Sequence, residues 1–195
     1  MTTKRTFFWD SCVFYRFLTG KPADLVPDIE QYIQEAQKKD IQILCSTMSF
    51  AEIRPSALKQ KGYGSIDEFL KDCSGVFVAL DPMPEVMKQS AILKDLSFKH
   101  ATKQPRVIGT PDAIQLLTCL FVREHMGLPD TVFHTFDDGG GKTWEGKGVP
   151  ILSLAEWTIG IEGHPLIAKL LAMPRTQPAH PTPKLALPTP PGAKK

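Results

Sequence analysis

Residues 6–18 of the chain read TFFWDSCVFYRFL, a short apolar run joined to a longer amphipathic stretch by one acid. The run at 6–9 is rich in aromatic residues and predicts a buried strand. Residues 12–18 have the apolar spacing of a helix. Asp10 stands between them. Because α/β proteins are built from strands that lead into helices, this stretch predicts an α/β fold.

The same alternation continues along the chain. Further strands are predicted at 41–45, 76–80, 131–136 and 150–152. Further helices are predicted at 27–38, 48–59, 66–71, 85–99 and 111–125. This order of elements predicts three layers, with a central parallel sheet flanked by helices on both faces. The carboxyl ends of such strands meet at one edge of the sheet, where α/β proteins build their sites.

Composition limits the class of protein. The 195 residues are 42% hydrophobic and 23% charged, as in an ordinary globular protein with a core. The net charge of +2 is too balanced to mark the whole chain as a polyanion binder, so any nucleic-acid contact must come from a local patch. No segment reaches the roughly 18 apolar residues of a membrane span, so no membrane contact is expected.

The cysteines indicate the cellular compartment of the protein, and the prolines indicate where its tail begins. The four cysteines contain no CxxC pair, which favours reduced thiols in a cytoplasmic protein. Of the 17 prolines, 7 fall in residues 174–195, which contain no acid and four basic residues. This composition predicts a disordered, basic, Pro-rich tail. The rest of the chain then carries a net charge of −2.

Four acids lie near the ends of predicted strands or the starts of predicted helices. Each also has a local explanation, and for Asp10 this is an N-cap or an Asx turn. Ser49 and Glu52 match a capping box, which is the favoured explanation of Glu52 on that motif alone. Asp112 would face the dipole of its helix, and Asp137 precedes a turn.

Together the four acids indicate a different role. Carboxylates gathered at one edge of a sheet repel one another, and a divalent cation removes that repulsion. Carboxylate oxygens are the ligands that Mg²⁺ and Mn²⁺ prefer. The predicted site is therefore a Mg²⁺ or Mn²⁺ site held by these acids, which are Asp10, Glu52, Asp112 and Asp137.

The blocks FFWDSC, STMSFAEIRPS, GTPDAIQLLTC and FHTFDDG, in this order, resemble the PIN domain, a nuclease fold best known from the toxins of bacterial toxin-antitoxin pairs. The resemblance implies a PIN-like domain over residues 1–160, with a C-terminal extension at 161–173 and the tail at 174–195. It also implies that the four acids are the catalytic quartet and that Ser11 and Thr135 support them. Cys12 stands where the family often has asparagine.

The activity that this resemblance implies is endoribonuclease cleavage of RNA with Mg²⁺ or Mn²⁺, leaving 5′ phosphates. It further implies an antitoxin partner and a homodimer. Within that reading, the basic residues Arg54, Arg106 and Lys142 are predicted to contact phosphates. The alternative is a non-catalytic PIN-like module that binds RNA or a protein.

Two other motifs are weaker. The sequence GGGKT at 139–143 lacks the first glycine of a phosphate-binding loop, because Phe136 stands in its place. The sequence DSC at 10–12 suggests an aspartyl-phosphate phosphatase, but Cys12 occupies the position of its second acid. Lys99 and Lys103 near Arg106 are most simply solvated surface, with a clamp on phosphates as the alternative.

Overall fold

A five-stranded parallel sheet forms the centre of the structure, a computed structural model that describes residues 4–139 and 148–181. Its strands are β1 (Arg5–Trp9), β2 (Ile41–Ser46), β3 (Phe77–Leu80), β4 (Val132–His134) and β5 (Arg175–Thr176). Across the sheet they follow the order β3-β2-β1-β4-β5, and every neighbouring pair is parallel. The predicted α/β fold with a parallel sheet is confirmed.

The register of the central strands makes them end together. Trp9, the last residue of β1, lies opposite Cys45 of β2 and His134 of β4. The residues that follow these strands therefore meet at one edge of the sheet. Asp10 follows β1 at that edge, and Thr135 follows β4.

Helices cover both faces of the sheet. In the described ranges the α-helices are α1 (Ser11–Thr19), α2 (Val26–Gln37), α3 (Met48–Glu52), α4 (Pro55–Lys61), α5 (Ile66–Asp72), α6 (Pro84–Asp95), α7 (Thr110–His125) and α8 (Pro165–Ala172). Two 3-10 helices lie at Ala23–Leu25 and Leu154–Trp157. Of the helices described, none combines the length and the apolar character needed to cross a bilayer.

The core has two halves because successive side chains of a strand point to opposite faces of the sheet. Phe8 and Leu44 belong to one half, where the sheet packs against α6, α7 and α8. Phe7 and Trp9 belong to the other half, with α1, α2, α4 and α5. The predicted three layers are therefore present.

Two of the predicted helices differ in extent. The helix predicted at 48–59 is broken at Ile53 and Arg54, which have extended backbones, and α4 begins at Pro55. Proline disfavours a helical conformation in the residue before it, which explains the break. The helix predicted at 85–99 ends at Asp95.

The strand predicted at 150–152 is wrong. These residues turn, and the backbone N–H of Leu152 donates to the carbonyl oxygen of Asp137 at 3.0 Å. Ile151 is buried, so the apolar run reflects core packing without a place in the sheet. The fifth strand is β5, in a segment predicted to be tail.

The start of the tail predicted at Pro174 is too early. The N–H groups of Phe133 and Thr135 donate to the carbonyls of Pro174 and Thr176 at 2.9 and 3.1 Å. Further on, the Tyr32 hydroxyl donates to the carbonyl of Ala179. We call residues 174–181 the C-terminal strap. The rest of the predicted tail, 182–195, lies outside the described residues.

Candidate active site

Asp10 occupies the turn between β1 and α1. Its backbone is extended, and its Oδ1 accepts a hydrogen bond of 2.6 Å from the N–H of Ser11, so it caps α1. Its Oδ2 accepts 2.7 Å from the hydroxyl of Thr135. The side chain is buried, with 4% of its surface exposed. The N-cap expected from the sequence is present, and both hydroxyl residues predicted to support the acids contact Asp10.

Cys12 completes the surroundings of Asp10. Its thiol lies 3.2 Å from Asp10 Oδ2 and 3.3 Å from Thr135 Oγ1, and its sulfur accepts from the N–H of Phe136 at 3.1 Å. Burial, with a further contribution from the charge of Asp10, raises the pKa of the Cys12 thiol well above its ordinary value. Cys12 is therefore a protonated hydrogen-bonding residue here.

Asp137 follows β4 and approaches Asp10. Its two carboxylate oxygens accept from the N–H groups of Gly139 at 3.0 Å and Ile151 at 3.4 Å. Burial raises the pKa of Asp137, and the charge of Asp10 raises it further, while these two hydrogen bonds lower it. The charge of Asp10 is thus close enough to disfavour the charged form of Asp137.

Asp112 lies in the first turn of α7, whose N-cap is Gly109. Thr110 is the first residue of the helix. An acid in the first turn is stabilised by the helix dipole. A methyl group at Gly148 would lie 3.9 Å from Asp112 Oδ2, so the side chain of Asp112 borders residue 148.

These three acids share one cavity of about 310 Å³ at the carboxyl edge of the sheet. The described residues that line it are Asp10, Ser11, Cys12, Arg16, Asp112, Phe136, Asp137, Asp138, Gly139 and Gly148. Alternation of side chains along an extended strand would put Asp138 on the side opposite to Asp137, yet Asp138 also lines the cavity. The alternation of an extended strand does not apply to it, because β4 ends at His134.

Glu52, the fourth predicted acid, is not among the described residues that line this cavity. Its Oε2 accepts a 2.7 Å hydrogen bond from the side-chain amide of Gln115. The other end of that amide, Oε1, accepts from the N–H of Ser11 at 3.1 Å and the hydroxyl of Ser49 at 2.9 Å. Glu52 is therefore joined to the site through Gln115.

The capping box predicted for Ser49 and Glu52 is wrong. The N-cap of α3 is Thr47, and Ser49 lies inside the helix. Its hydroxyl bonds to Gln115, because α3 packs against α7.

Arg16, the basic residue among the described residues that line the cavity, was not predicted from the sequence. Arg16 on α1 places its guanidinium 4.0 Å from the centroid of the Phe136 ring. The available signal was that Arg16 is the one charged residue of the helix SCVFYRFLT. Gln115 was also missed.

The predicted phosphate contacts have different positions. Arg106 Nη1 donates to the carbonyl of Gly148 at 2.9 Å, which puts Arg106 beside the cavity. Arg54 is the N-cap residue of α4 and is exposed, and it is not among the described residues that line the cavity. Lys142 and most of the GGGKT sequence lie outside the described residues.

The donor set agrees chemically with a divalent cation. Four carboxylates of described residues line one cavity, and burial, together with the charge of Asp10, raises the pKa of Asp137, a cost to its charged form that a cation would offset. Within 4–139 and 148–181, however, no three acidic, histidine or cysteine side chains stand close enough together to form a ligand cluster. The carboxylates surround the cavity without converging on one point.

Comparisons with family models, with curated proteins and with solved structures found no match to this chain.

Proposed function

We propose that this protein is a divalent-metal-dependent phosphodiesterase that cleaves RNA internally. The observation that carries the proposal is the shared cavity, where Asp10, Asp112 and Asp137 lie at the carboxyl edge of a parallel sheet. Parallel α/β sheets build their sites at this edge. The PIN-like order of the acid-bearing blocks in the sequence supports RNA as the substrate.

The residues of the chain have separable roles in this proposal. Asp10, Asp112 and Asp137 are the candidate ligands of Mg²⁺ or Mn²⁺. When bound, such an ion polarises a phosphodiester and lowers the pKa of water for in-line attack. Ser11 and Thr135 hold the Asp10 carboxylate in place through the contacts described above.

Arg16 supplies positive charge on the same cavity wall. A guanidinium is always protonated and presents several donors in one plane, which suits phosphate oxygens. Stacking on Phe136 restricts its position before substrate arrives. We therefore assign to Arg16 the binding of the phosphate that is cleaved.

The test is cleavage of a labelled single-stranded RNA by the purified chain with Mn²⁺ or Mg²⁺, with and without EDTA. Asp112→Asn and Asp137→Asn should each lower the rate by about a hundredfold or more, which corresponds to a few kcal/mol of lost stabilisation. Asp130→Asn is the matched control, because Asp130 is exposed and lines a cavity at the opposite edge of the sheet. Equal rates for all three variants would refute the assignment.

A second candidate is a module that binds RNA or a protein without cleaving it. It is favoured by the engagement of both Asp10 oxygens with donors and by the contact of Glu52 with Gln115. Binding of RNA without any EDTA-sensitive cleavage would select this candidate.

The biological setting that we propose is that of a cytoplasmic toxin with an antitoxin partner. The four cysteines are free thiols, which agrees with a reducing compartment. A small reading frame beside the gene, whose product suppresses cleavage by this chain, would support the toxin role.

A further inference from the structure

A short basic loop lies between α6 and α7. We use the name basic loop for residues 98–106, FKHATKQPR, which include Lys99, Lys103 and Arg106 and no acid. The loop is closed at its base, where the N–H of Phe98 donates to the carbonyl of Arg106 at 2.9 Å and the reverse bond is 2.8 Å. These two hydrogen bonds hold together the ends of the segment that carries Lys99 and Lys103.

The basic loop is anchored on the segment around Trp157. The guanidinium of Arg106 lies 4.3 Å from the centroid of that ring, and the ammonium of Lys103 lies 5.5 Å from it. The N–H of Ile159 donates to the carbonyl of Lys99 at 3.3 Å. Cations held over an aromatic ring lose less freedom when they bind a phosphate.

Within the basic loop, His100 lies beside an acid. His100 stacks on the ring of Trp157, and its Nε2 lies 3.6 Å from the carboxylate of Glu156, most of which is exposed. Lys99 and Lys103 are themselves exposed to solvent. Two lysines on the outside of the loop are thus available to an anion that approaches from solvent.

The basic loop lies next to the candidate active site. Arg106 bonds to the carbonyl of Gly148, and Gly148 lines the acidic cavity beside Asp112. Among the described residues, the cavity wall carries four carboxylates and one guanidinium. Such a cavity holds a polyanion poorly by itself, so binding requires cations beside it.

We propose that the basic loop binds the phosphate backbone of a nucleic-acid strand, and that the same strand enters the acidic cavity over Gly148. The second part rests on the proposed function, whereas the first stands on the charge and geometry of the loop. Lys99 and Lys103 contact phosphates and read no bases, so they contribute affinity that depends on salt.

The experiment measures binding of a labelled RNA of about 12 nucleotides at several salt concentrations, in EDTA so that no cleavage occurs. The test variant carries Lys99→Gln and Lys103→Gln. The matched control carries Lys4→Gln and Lys38→Gln, which removes two exposed lysines at the opposite edge of the sheet, before β1 and β2. The same binding series is repeated with single-stranded DNA of the same sequence.

In the test variant, log affinity should fall less steeply with log salt. The magnitude of the slope should decrease by about 1.4, since each phosphate contact to a single strand contributes about 0.7. The control should keep the slope of the unsubstituted chain. The change should be the same with DNA, because phosphates carry it. Equal slopes for the two double variants, or a change with RNA alone, would overturn the proposal.

Cleavage assays separate this inference from the proposed function. If the unsubstituted chain cleaves RNA and the test variant keeps the same salt slope, the basic loop is not the contact, while the nuclease assignment stands. If the slope changes but no chain cleaves RNA, the loop binds nucleic acid and the nuclease assignment fails. Tight binding of an acidic protein, with no binding of RNA, would overturn the inference in favour of a protein partner.

Discussion

Gln115 is fully buried and connects three residues around the candidate site. Its amide bonds to Ser11, Ser49 and Glu52, which come from α1 and α3, while Gln115 itself is on α7. A buried amide bonded at both ends fixes the helices relative to one another.

We expect Gln115→Met to lower the free energy of unfolding by about 1–3 kcal/mol, because Ser49 and Glu52 each lose a buried hydrogen-bonding partner while the volume is kept. Urea unfolding measures the change. Thr118→Val is the control, since among the described residues the Thr118 hydroxyl bonds to the carbonyl of Ile114 in its own helix and to no other helix. A loss no larger than that of the control would show that the amide does not hold the helices.

The sequence identified the acids of the cavity but could not identify Gln115. Asp10 and Asp137 follow strands, and Asp112 starts a helix, so local pattern places all three at one edge. The bonds of Gln115 to Ser11 and Ser49 join residues 104 and 66 positions apart, and no local pattern signals them. The sequence grouped Glu52 with the other three acids because its hydrogen bond to Gln115 could not be predicted.

The buried residue His134 should make the stability of the protein depend on pH. It lies in β4 between the rings of Phe7 and Tyr32, and no described residue bonds to its Nδ1. Burial lowers the pKa of His134 from 6.5 to about 3. Between these values the unfolded chain binds a proton that the folded chain excludes, so stability falls as pH decreases below about 6.5.

We expect His134→Phe to reduce this loss. Relative to the variant, the unsubstituted chain should lose about 1.4 kcal/mol of unfolding free energy for each pH unit below 6.5. Urea unfolding at about pH 7 and pH 5 measures it. His125→Phe, at an exposed histidine, should show no such shift, and a similar shift in both variants would contradict the buried neutral state of His134.

At the scale of elements, the C-terminal strap closes one side of the sheet. Besides β5, it provides His180, whose Nε2 lies 3.0 Å from the carboxylate of Glu35 and whose ring packs on Tyr32. The side chain of His180 is almost fully buried. The strap is therefore part of the packed structure, although its composition resembles a disordered segment.

Deleting residues 174–195 should lower the melting temperature by about 4–8 °C, which corresponds to about 2 kcal/mol for the lost hydrogen bonds of β5 and the strap. Deleting only residues 182–195 removes none of the described contacts and should leave the melting temperature unchanged. Thermal unfolding of the two truncated chains measures the effect. Equal melting temperatures would mean that the strap adds no stability.

The C-terminal strap shows that a sequence pattern cannot predict very short strands. The strand β5 has two residues, too few for any alternation of apolar and polar side chains. The run at 150–152 is apolar throughout, which predicted a strand, yet Ile151 is buried in the core without a place in the sheet. The helix α7, the longest of the described helices, was predicted to within a residue, because its periodicity is repeated several times.

At the scale of the whole molecule, the two edges of the sheet differ in charge. The carboxyl edge carries the acidic cavity, and the amino edge has a cavity of about 320 Å³ with both basic and acidic side chains. If the acidic cavity takes a cation, the folded chain gains stability from binding alone.

We expect Mn²⁺ at about 100 times its dissociation constant to stabilise the chain by about 2.7 kcal/mol and to raise the melting temperature by about 5–11 °C. EDTA should reverse the rise. Asp112→Asn should abolish most of it, and Asp130→Asn at the opposite edge should keep it. Thermal unfolding with and without metal makes the measurement, and an unchanged melting temperature in the unsubstituted chain would exclude tight metal binding.

The position of β5 also has a consequence for how the protein is made. Strand β4 pairs with β1 on one side and β5 on the other, and β5 follows every other described strand in the chain. During translation, the outer edge of β4 is thus without its partner until the strap has left the ribosome. An open strand edge can pair with a strand of another chain. Nascent copies on one messenger can therefore mispair at β4 until the strap is in place.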